Sequence, residues 1–146
     1  MIAASFSLFF ASFLSATLLP GASELLLIAL LTQSPEAAGI LVAVAAAGNT
    51  AGSAVNYALG YWIGRPVAER LPFILTKKRL EQAEGWFGRY GRWSLLFSWL
   101  PIVGDPLTAI AGVLKTGFGP FLVLVALGKT ARYMAVAAGV QAVALW

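Results

Sequence analysis

The sequence contains no cysteine and no histidine among its 146 residues. Their absence excludes disulfides, thiolate and imidazole metal sites, cysteine nucleophiles and the usual histidine general base. Charge is also scarce, since only 11% of the residues are Asp, Glu, Lys or Arg. The glycine-rich stretches contain no phosphate loop, because no Gly-Lys-Ser/Thr follows a predicted strand. We therefore expect a protein that is not an enzyme and that uses no metal or other cofactor.

Apolar residues are abundant instead, at 60% of the chain, and the mean hydropathy is +0.83. A soluble domain of this length cannot bury so much apolar surface, so we expect an integral membrane protein. Residues 1–19 lack the basic segment with which a secretory signal begins, and we interpret them as part of the membrane domain.

Seven of the ten cationic residues lie in one hydrophilic segment, which the positive-inside rule assigns to the cytoplasm. This segment, residues 65–92, is predicted to contain an amphipathic helix that lies on the inner leaflet. Its cations are Arg65, Arg70, Lys77, Lys78, Arg79, Arg89 and Arg92.

Two short motifs are near-copies of each other, and both place a carboxylate in an apolar run. Residues 19–24 read Leu-Pro-Gly-Ala-Ser-Glu, and residues 100–105 read Leu-Pro-Ile-Val-Gly-Asp. A second matching pair follows: Gly-Asn-Thr-Ala begins 24 residues after Glu24, and Gly-Lys-Thr-Ala begins 23 residues after Asp105. We interpret the chain as two copies of one membrane unit, with a binding site where the copies meet.

Each copy is predicted to begin with a re-entrant hairpin, because its first apolar stretch is broken partway across the bilayer. Pro20 and Gly21 break the first hairpin, and the helix that follows, residues 22–32, reaches only about 16 Å. In the second hairpin a helix over residues 93–100 is followed by a return helix over 107–114. The residues predicted to break it are Pro101, Gly104 and Pro106.

A full membrane span is predicted after each hairpin, at residues 37–64 and 117–146. Small residues recur every four positions in both spans, a pattern that lets another backbone approach closely. They are Gly48, Gly52, Gly60 and Gly64 in the first span, with Asn56 in the missing position, and Ala131, Ala135 and Gly139 in the second.

Counting crossings from the cytoplasmic segment gives two repeats of inverted topology, so that their hairpins enter from opposite faces. The predicted fold is an all-α polytopic membrane protein, with each repeat a re-entrant helical hairpin plus a transmembrane helix. A single membrane domain, 1–146, contains repeat 1 (about 1–64), the cytoplasmic linker (about 65–92) and repeat 2 (about 93–146). Glu24 and Asp105 are then expected near the membrane midplane.

Glu24 and Asp105 are the main candidates for binding a substrate or a proton, since an ionised carboxylate in hydrocarbon needs a partner, water or a proton. The alternative is a helix-terminal acid that faces water. Lys129 and Arg132 lie deep in the last span, so we expect them to pair with the two acids. Arginine also offers bidentate recognition of phosphate or carboxylate. A purely structural charge cluster is the alternative for these residues.

Three polar residues of the first span, Asn49, Asn56 and Tyr57, are predicted to line the same cavity. Hydrogen bonding between helices, without a ligand, explains them equally well.

These motifs resemble the DedA superfamily, also called the VTT-domain or SNARE-associated Golgi protein group, and most of all its short YqaA-like branch. The resemblance covers about residues 10–140. It is carried by residues 19–24, by Gly-Asn-Thr-Ala-Gly-Ser-Ala-Val-Asn-Tyr-Ala-Leu-Gly at 48–60 and by Phe-Gly-Arg-Tyr-Gly at 87–91. The fourth motif, at 99–112, begins Trp-Leu-Pro-Ile-Val-Gly-Asp-Pro-Leu and ends Ala-Gly.

The resemblance implies a bacterial inner-membrane protein with two opposed re-entrant hairpins that translocates lipids, with proton coupling suspected. Glu24 corresponds to the family acid after Pro-Gly, displaced by two residues because Ala22 occupies the usual place. Two family arginines are replaced here by Gly104 and Ser98.

We therefore predict transport of a lipid or a lipid-linked amphiphile, as in a flippase or scramblase. Lys129 and Arg132 are the candidates to replace the two missing arginines in binding an anionic headgroup. The expected partners are membrane lipids and a second copy packed along the glycine stripe, with no nucleic acid. A proton-coupled transporter of small cations or drugs and a membrane scaffold or assembly factor are the alternatives.

Overall fold

The computed structural model describes residues 1–17, 21–64, 77–100 and 103–146, including all their side chains except those of Arg79 and Leu80. The described residues form helices joined by short turns, which confirms the all-helical prediction. The α-helices are α1 (Ile2–Thr17), α2 (Ala22–Gln33), α3 (Ala38–Ile63), α4 (Lys77–Tyr90), α5 (Gly104–Val113) and α6 (Phe118–Ala144). Two 3₁₀ helices, Pro35–Ala37 and Gly91–Trp99, precede α3 and α5.

Two helices are long and apolar enough to cross a membrane: α3 with the 3₁₀ turn before it, Pro35–Ile63, and α6, Phe118–Ala144. At a rise of 1.5 Å per residue each reaches about 40 Å, more than the hydrocarbon core. The two helices also pack against each other.

The helices α2 and α5 have 12 and 10 residues, so each reaches only about half the bilayer. The helix α2 begins after Gly21, whose φ of 91° is in the left-handed region that glycine adopts without steric cost. The predicted breaks at Pro20 and Pro101 lie outside the described residues, as does the 65–76 part of the predicted cytoplasmic linker.

The second hairpin differs from the prediction in two ways. Gly104 and Pro106 do not break the chain but form the first turn of α5, which therefore begins three residues before the predicted Leu107. Proline is tolerated there because the first N–H groups of a helix have no partner within the helix. The arm before it is a 3₁₀ helix that begins at Gly91, not an α-helix from residue 93.

Glycines allow the short elements to lie directly on α3 and α6. A Cβ at Gly48 would collide with the carbonyl of Phe9 in α1, and one at Gly60 would collide with the carbonyl of Ala109 in α5. In α6, a Cβ at Gly128 would lie 2.9 Å from the carbonyl oxygen of Leu96. The predicted close approach along the first glycine stripe is therefore made within one chain, and these glycines are not free to pack a second copy.

Two further surfaces differ from expectation. The second small-residue stripe, Ala131, Ala135 and Gly139, is exposed and is not covered by another backbone among the described residues. The apolar face of α4, expected on the lipid, instead packs on α5: Ala83 is buried, and Trp86 and Phe87 are half-buried against the same cluster.

Replacing Gly112 with alanine is expected to lower the free energy of unfolding in detergent by about 1–3 kcal/mol, because the new Cβ would overlap the backbone of Tyr57. Gly139→Ala is the matched control: nothing lies within 4 Å of its Cβ position. Since alanine favours a helix by about 1 kcal/mol over glycine, the control variant should be unchanged or more stable. Equal effects of the two substitutions would show that α3 and α5 are not in backbone contact.

Candidate functional site

The four charged side chains singled out in the sequence lie together on three helices. Glu24 is in the first turn of α2 and Asp105 in the first turn of α5, where a carboxylate is stabilised by the helix dipole. Lys129 and Arg132 both project from the middle of α6. The predicted ion pairs are both present, and α6 supplies the cation to each.

The Asp105–Lys129 pair is closed off from solvent. Lys129 Nζ donates to Asp105 Oδ1 at 2.9 Å, and the two side chains are 1% and 10% exposed, respectively. Thr108 Oγ1 donates to the backbone carbonyl of Asp105 at 2.6 Å, which fixes the first turn of α5. A charge pair this deeply buried holds α5 to α6 but offers little access to a ligand.

The Glu24–Arg132 pair is more accessible. Arg132 Nη2 lies 2.5 Å from Glu24 Oε1, and the side chains of Arg132 and Glu24 are 20% and 14% exposed. Arg132 Nη1 also donates to the carbonyl of Trp99 at 3.1 Å, so Arg132 joins the first hairpin to the end of the second hairpin's 3₁₀ arm. Arg132 therefore contacts both α2 and the 3₁₀ helix before α5, and it is the more exposed of the two cations.

Tyr133 is a site residue that sequence reasoning missed. Its hydroxyl lies 2.8 Å from Ser23 Oγ and accepts a hydrogen bond from Asn49 Nδ2 at 2.9 Å, and the side chain is fully buried. Ser23 Oγ also lies 3.2 Å from Glu24 Oε2. The signal for Tyr133 was its place four residues after Lys129, which puts both side chains on one helix face.

The other polar residues of α3 divide between two places. Asn49 belongs to the Tyr133 network, whereas Asn56 donates to the carbonyl of Ala16 at 2.9 Å and to Thr108 Oγ1 at 3.4 Å. Asn49 and Asn56 therefore both make hydrogen bonds between helices, which was the alternative to lining a cavity. Tyr57 contacts neither ion pair: its hydroxyl donates to the carbonyl of Thr116, and its ring packs on Phe121. The predicted common cavity therefore does not include Tyr57.

Several buried polar atoms near the ion pairs have no hydrogen-bond partner among the described residues. They lie along α3, at Asn49 Oδ1, Thr50 Oγ1 and Ser53 Oγ, and on the second hairpin at Ser98 Oγ. A Cβ on Gly128 would be 3.1 Å from Ser98 Oγ, which places that hydroxyl next to the residue before Lys129. Buried polar atoms need partners, so these groups are places where bound water fits. No three acidic side chains in the described parts of the chain are grouped to hold a metal ion.

Two long apolar helices, with short helices that carry buried charges against them, define a polytopic helical membrane protein. A family model for the VTT domain matches residues 19–142, and the chain therefore belongs to this family, which is also known as DedA. It is accordingly a bacterial inner-membrane protein.

Close relatives extend over nearly the whole chain. It is 43% identical over 141 residues to the inner membrane protein YqaA of Escherichia coli strain K12, and equally to that of Shigella flexneri, covering 97% of this chain and 94% of each relative. An uncharacterized protein of Haemophilus influenzae is 36% identical over 137 residues, or 88% of this chain and 82% of its own. No solved structure matches the chain.

Proposed function

We propose that this protein moves an amphiphile, a lipid or a lipid-linked molecule, across the inner membrane. One observation carries the proposal: the acids that begin two half-length helices, Glu24 and Asp105, both pair with cations on the middle of α6. Charges are costly in hydrocarbon, and a bundle that keeps four of them at one place implies a path for a charged group.

In this proposal α1 and α2 form one re-entrant hairpin, and the Gly91–Trp99 arm and α5 form the other. The packing supports two inverted copies. The first arm of each hairpin packs on its own long helix, and each second arm reaches the long helix of the other copy: α5 packs on α3, and α2 packs on α6 as well as on α3. Gly48 against Phe9 and Gly128 against Leu96 occupy corresponding places in the two copies.

The sidedness of the hairpins follows from charge. The cationic helix α4 is placed on the cytoplasmic side, with the end of α3 and the start of α6. The first hairpin then enters from the outer face and the second from the inner face. Because each hairpin fills only half the bilayer, the barrier between the two aqueous sides is thinnest where the hairpins meet, at the two ion pairs.

Arg132 is assigned the first contact with the anionic headgroup. Its guanidinium can hold a phosphate through two parallel hydrogen bonds, and its partial exposure leaves it more accessible than Lys129. When a phosphate takes Arg132, Glu24 loses its cation and is stabilised by a proton or by hydroxyl donors such as Ser23. Exchange of Arg132 between Glu24 and the headgroup provides the transport step and a route for proton coupling.

Transport is tested in liposomes that contain the purified protein and a phospholipid with a fluorescent, reducible headgroup. Wild-type protein is expected to move the label between leaflets, and Glu24→Gln and Asp105→Asn are each expected to slow the movement about tenfold, the effect of losing roughly 1.4 kcal/mol. Glu36→Gln, which removes an exposed acid from the turn before α3, is the matched control and should transport normally. Unchanged rates in both site variants would overturn the proposal.

A membrane scaffold without a transported substrate is the second candidate. The closure of the Asp105–Lys129 pair favours it, because a pair with a 1% exposed lysine holds two helices together and offers little access to a ligand. In a scaffold, each site variant should lose stability and assembly to the same extent. The double variant Glu24→Gln/Arg132→Gln separates the two candidates.

A further inference from the structure

A cavity lies away from the ion pairs, at the end of α3 and the start of α6. Its volume is about 510 Å³, and its walls are mainly aromatic. Its lining includes Tyr57, Tyr61, Trp62, Lys115, Thr116 and Phe118. Because it opens at the ends of the two long helices, it lies at the depth where aromatic and cationic side chains meet lipid headgroups.

Lys115 has an unusual backbone conformation at the mouth of this cavity. Its φ is 53°, and among the described residues it is the only one other than glycine with a positive φ. Lys115 follows the C-terminus of α5, and the next residue, Thr116, donates its N–H to the carbonyl of Ala111. Glycine is the usual residue at the position that Lys115 occupies in this kind of helix end. A lysine here carries a steric cost that glycine avoids, and such outliers concentrate at functional sites.

The charge of Lys115 lies against the aromatic wall and has no ion-pair partner among the described residues. Its Nζ lies 5.3 Å from the centroid of the Tyr61 ring. No carboxylate within residues 1–17, 21–64, 77–100 and 103–146 forms an ion pair with Lys115. The cavity thus presents a positive group with free N–H donors beside an apolar surface.

Tyr57 connects the wall of the cavity to residues that follow the lysine. The Tyr57 hydroxyl donates to the carbonyl of Thr116, the residue after Lys115, and the Tyr57 ring packs 5.4 Å from that of Phe118, centroid to centroid. Trp62 lies edge-on beside Tyr61 and is 80% exposed, so most of its surface is open to a bound molecule. A cationic ligand would be repelled by Lys115, so the complementary ligand has an anionic head and an apolar body.

We propose that this cavity binds the phosphodiester headgroup of an anionic membrane phospholipid, with Lys115 Nζ on the phosphate and Trp62 and Phe118 against the glycerol and the upper acyl chains. The site is in the leaflet next to α4 and is separate from the transport site. It does not depend on the proposed transport, since a scaffold could bind the same lipid there.

Native mass spectrometry of the detergent-purified protein tests this site, with phosphatidylglycerol as the added lipid. Lys115→Gly is expected to raise the dissociation constant for the first bound lipid roughly 10-fold or more, the effect of losing one charge-assisted hydrogen bond. The same variant should melt at the same or a higher temperature, because glycine removes the backbone strain. Lys115→Arg should retain binding.

The control Lys78→Gln removes an exposed charge from α4 and is expected to change the dissociation constant less than about twofold. Equal losses in Lys115→Gly and Lys78→Gln would show general attraction by surface charge and overturn the proposal. So would displacement of the lipid by inorganic phosphate at equal concentration, which would assign the cavity to a free anion. Equally tight binding of phosphatidylcholine would contradict the preference for an anionic headgroup.

Discussion

Replacing Lys129 with methionine is expected to lower the free energy of unfolding by about 3–5 kcal/mol, because it leaves the buried carboxylate of Asp105 without its cation. The effect is large because Lys129 is 1% exposed, so water cannot replace the lost partner. Denaturant-induced unfolding in detergent micelles, followed by helical circular dichroism, measures it.

The double variant Lys129→Met/Asp105→Asn should recover most of the lost stability, since no unpaired charge remains. Lys78→Met is the control for removing a lysine from an exposed position and should have little effect. If Lys129→Met costs less than about 1 kcal/mol, the value for an exposed pair, the Asp105–Lys129 contact is open to water and the closed site described above is wrong.

Replacing Arg132 with glutamine is expected to reduce lipid transport roughly 10- to 100-fold, the effect of losing a charge-assisted hydrogen bond to the headgroup. Arg132→Lys should give an intermediate rate, because lysine keeps the charge but not the planar bidentate donor. The rate of headgroup-label movement in liposomes measures both variants. Their stability should fall less than that of Lys129→Met, since the Glu24–Arg132 pair is partly exposed.

The double variant Glu24→Gln/Arg132→Gln distinguishes transport from a structural role. With no unpaired charge left, it should unfold at nearly the wild-type denaturant concentration and still fail to transport. If the charges only hold helices together, the double variant should instead regain every activity of the wild-type protein when it regains stability. Wild-type transport by this double variant would eliminate Arg132 as the headgroup contact.

Sequence reasoning predicted which charged residues meet but could not assign the pairs. Lys129 and Arg132 are three residues apart, so they project from neighbouring parts of one helix face. Which of them faces which hairpin depends on how α6 is rotated, and that rotation is set by the contact of Gly128 with the Leu96 carbonyl. A contact between segments so far apart in sequence leaves no local signal.

The errors in the second hairpin have a different origin. Proline was interpreted as a breaker at Pro106, although its lack of an N–H is harmless in the first turn of a helix, where it is found. The 3₁₀ arm before it ends directly against the start of α5, where a Cβ on Gly104 would collide with the Ser98 carbonyl. For Tyr57, the repeat pattern suggested a place near the ion pairs, but the approach of α3 to Phe121 directs the ring to the other end of the helix.

The most direct test of the account is which side of the membrane can reach the starts of α2 and α5. The chain has no cysteine, so single cysteines can be placed at these positions without removing any other. We propose Ala22→Cys and Val103→Cys, with Glu36→Cys and Lys78→Cys as markers of the outer and inner faces, each exposed to a membrane-impermeant maleimide from one side at a time.

Opposed half-length hairpins predict that Glu36→Cys reacts only from the outside and Lys78→Cys only from the inside. They also predict that Ala22→Cys is never labelled from the cytoplasm and Val103→Cys never from the periplasm. Labelling of Ala22→Cys from the cytoplasmic side, or of Val103→Cys from the periplasmic side, would mean that the short helices cross the whole bilayer. It would place Glu24 or Asp105 in open water and contradict the account.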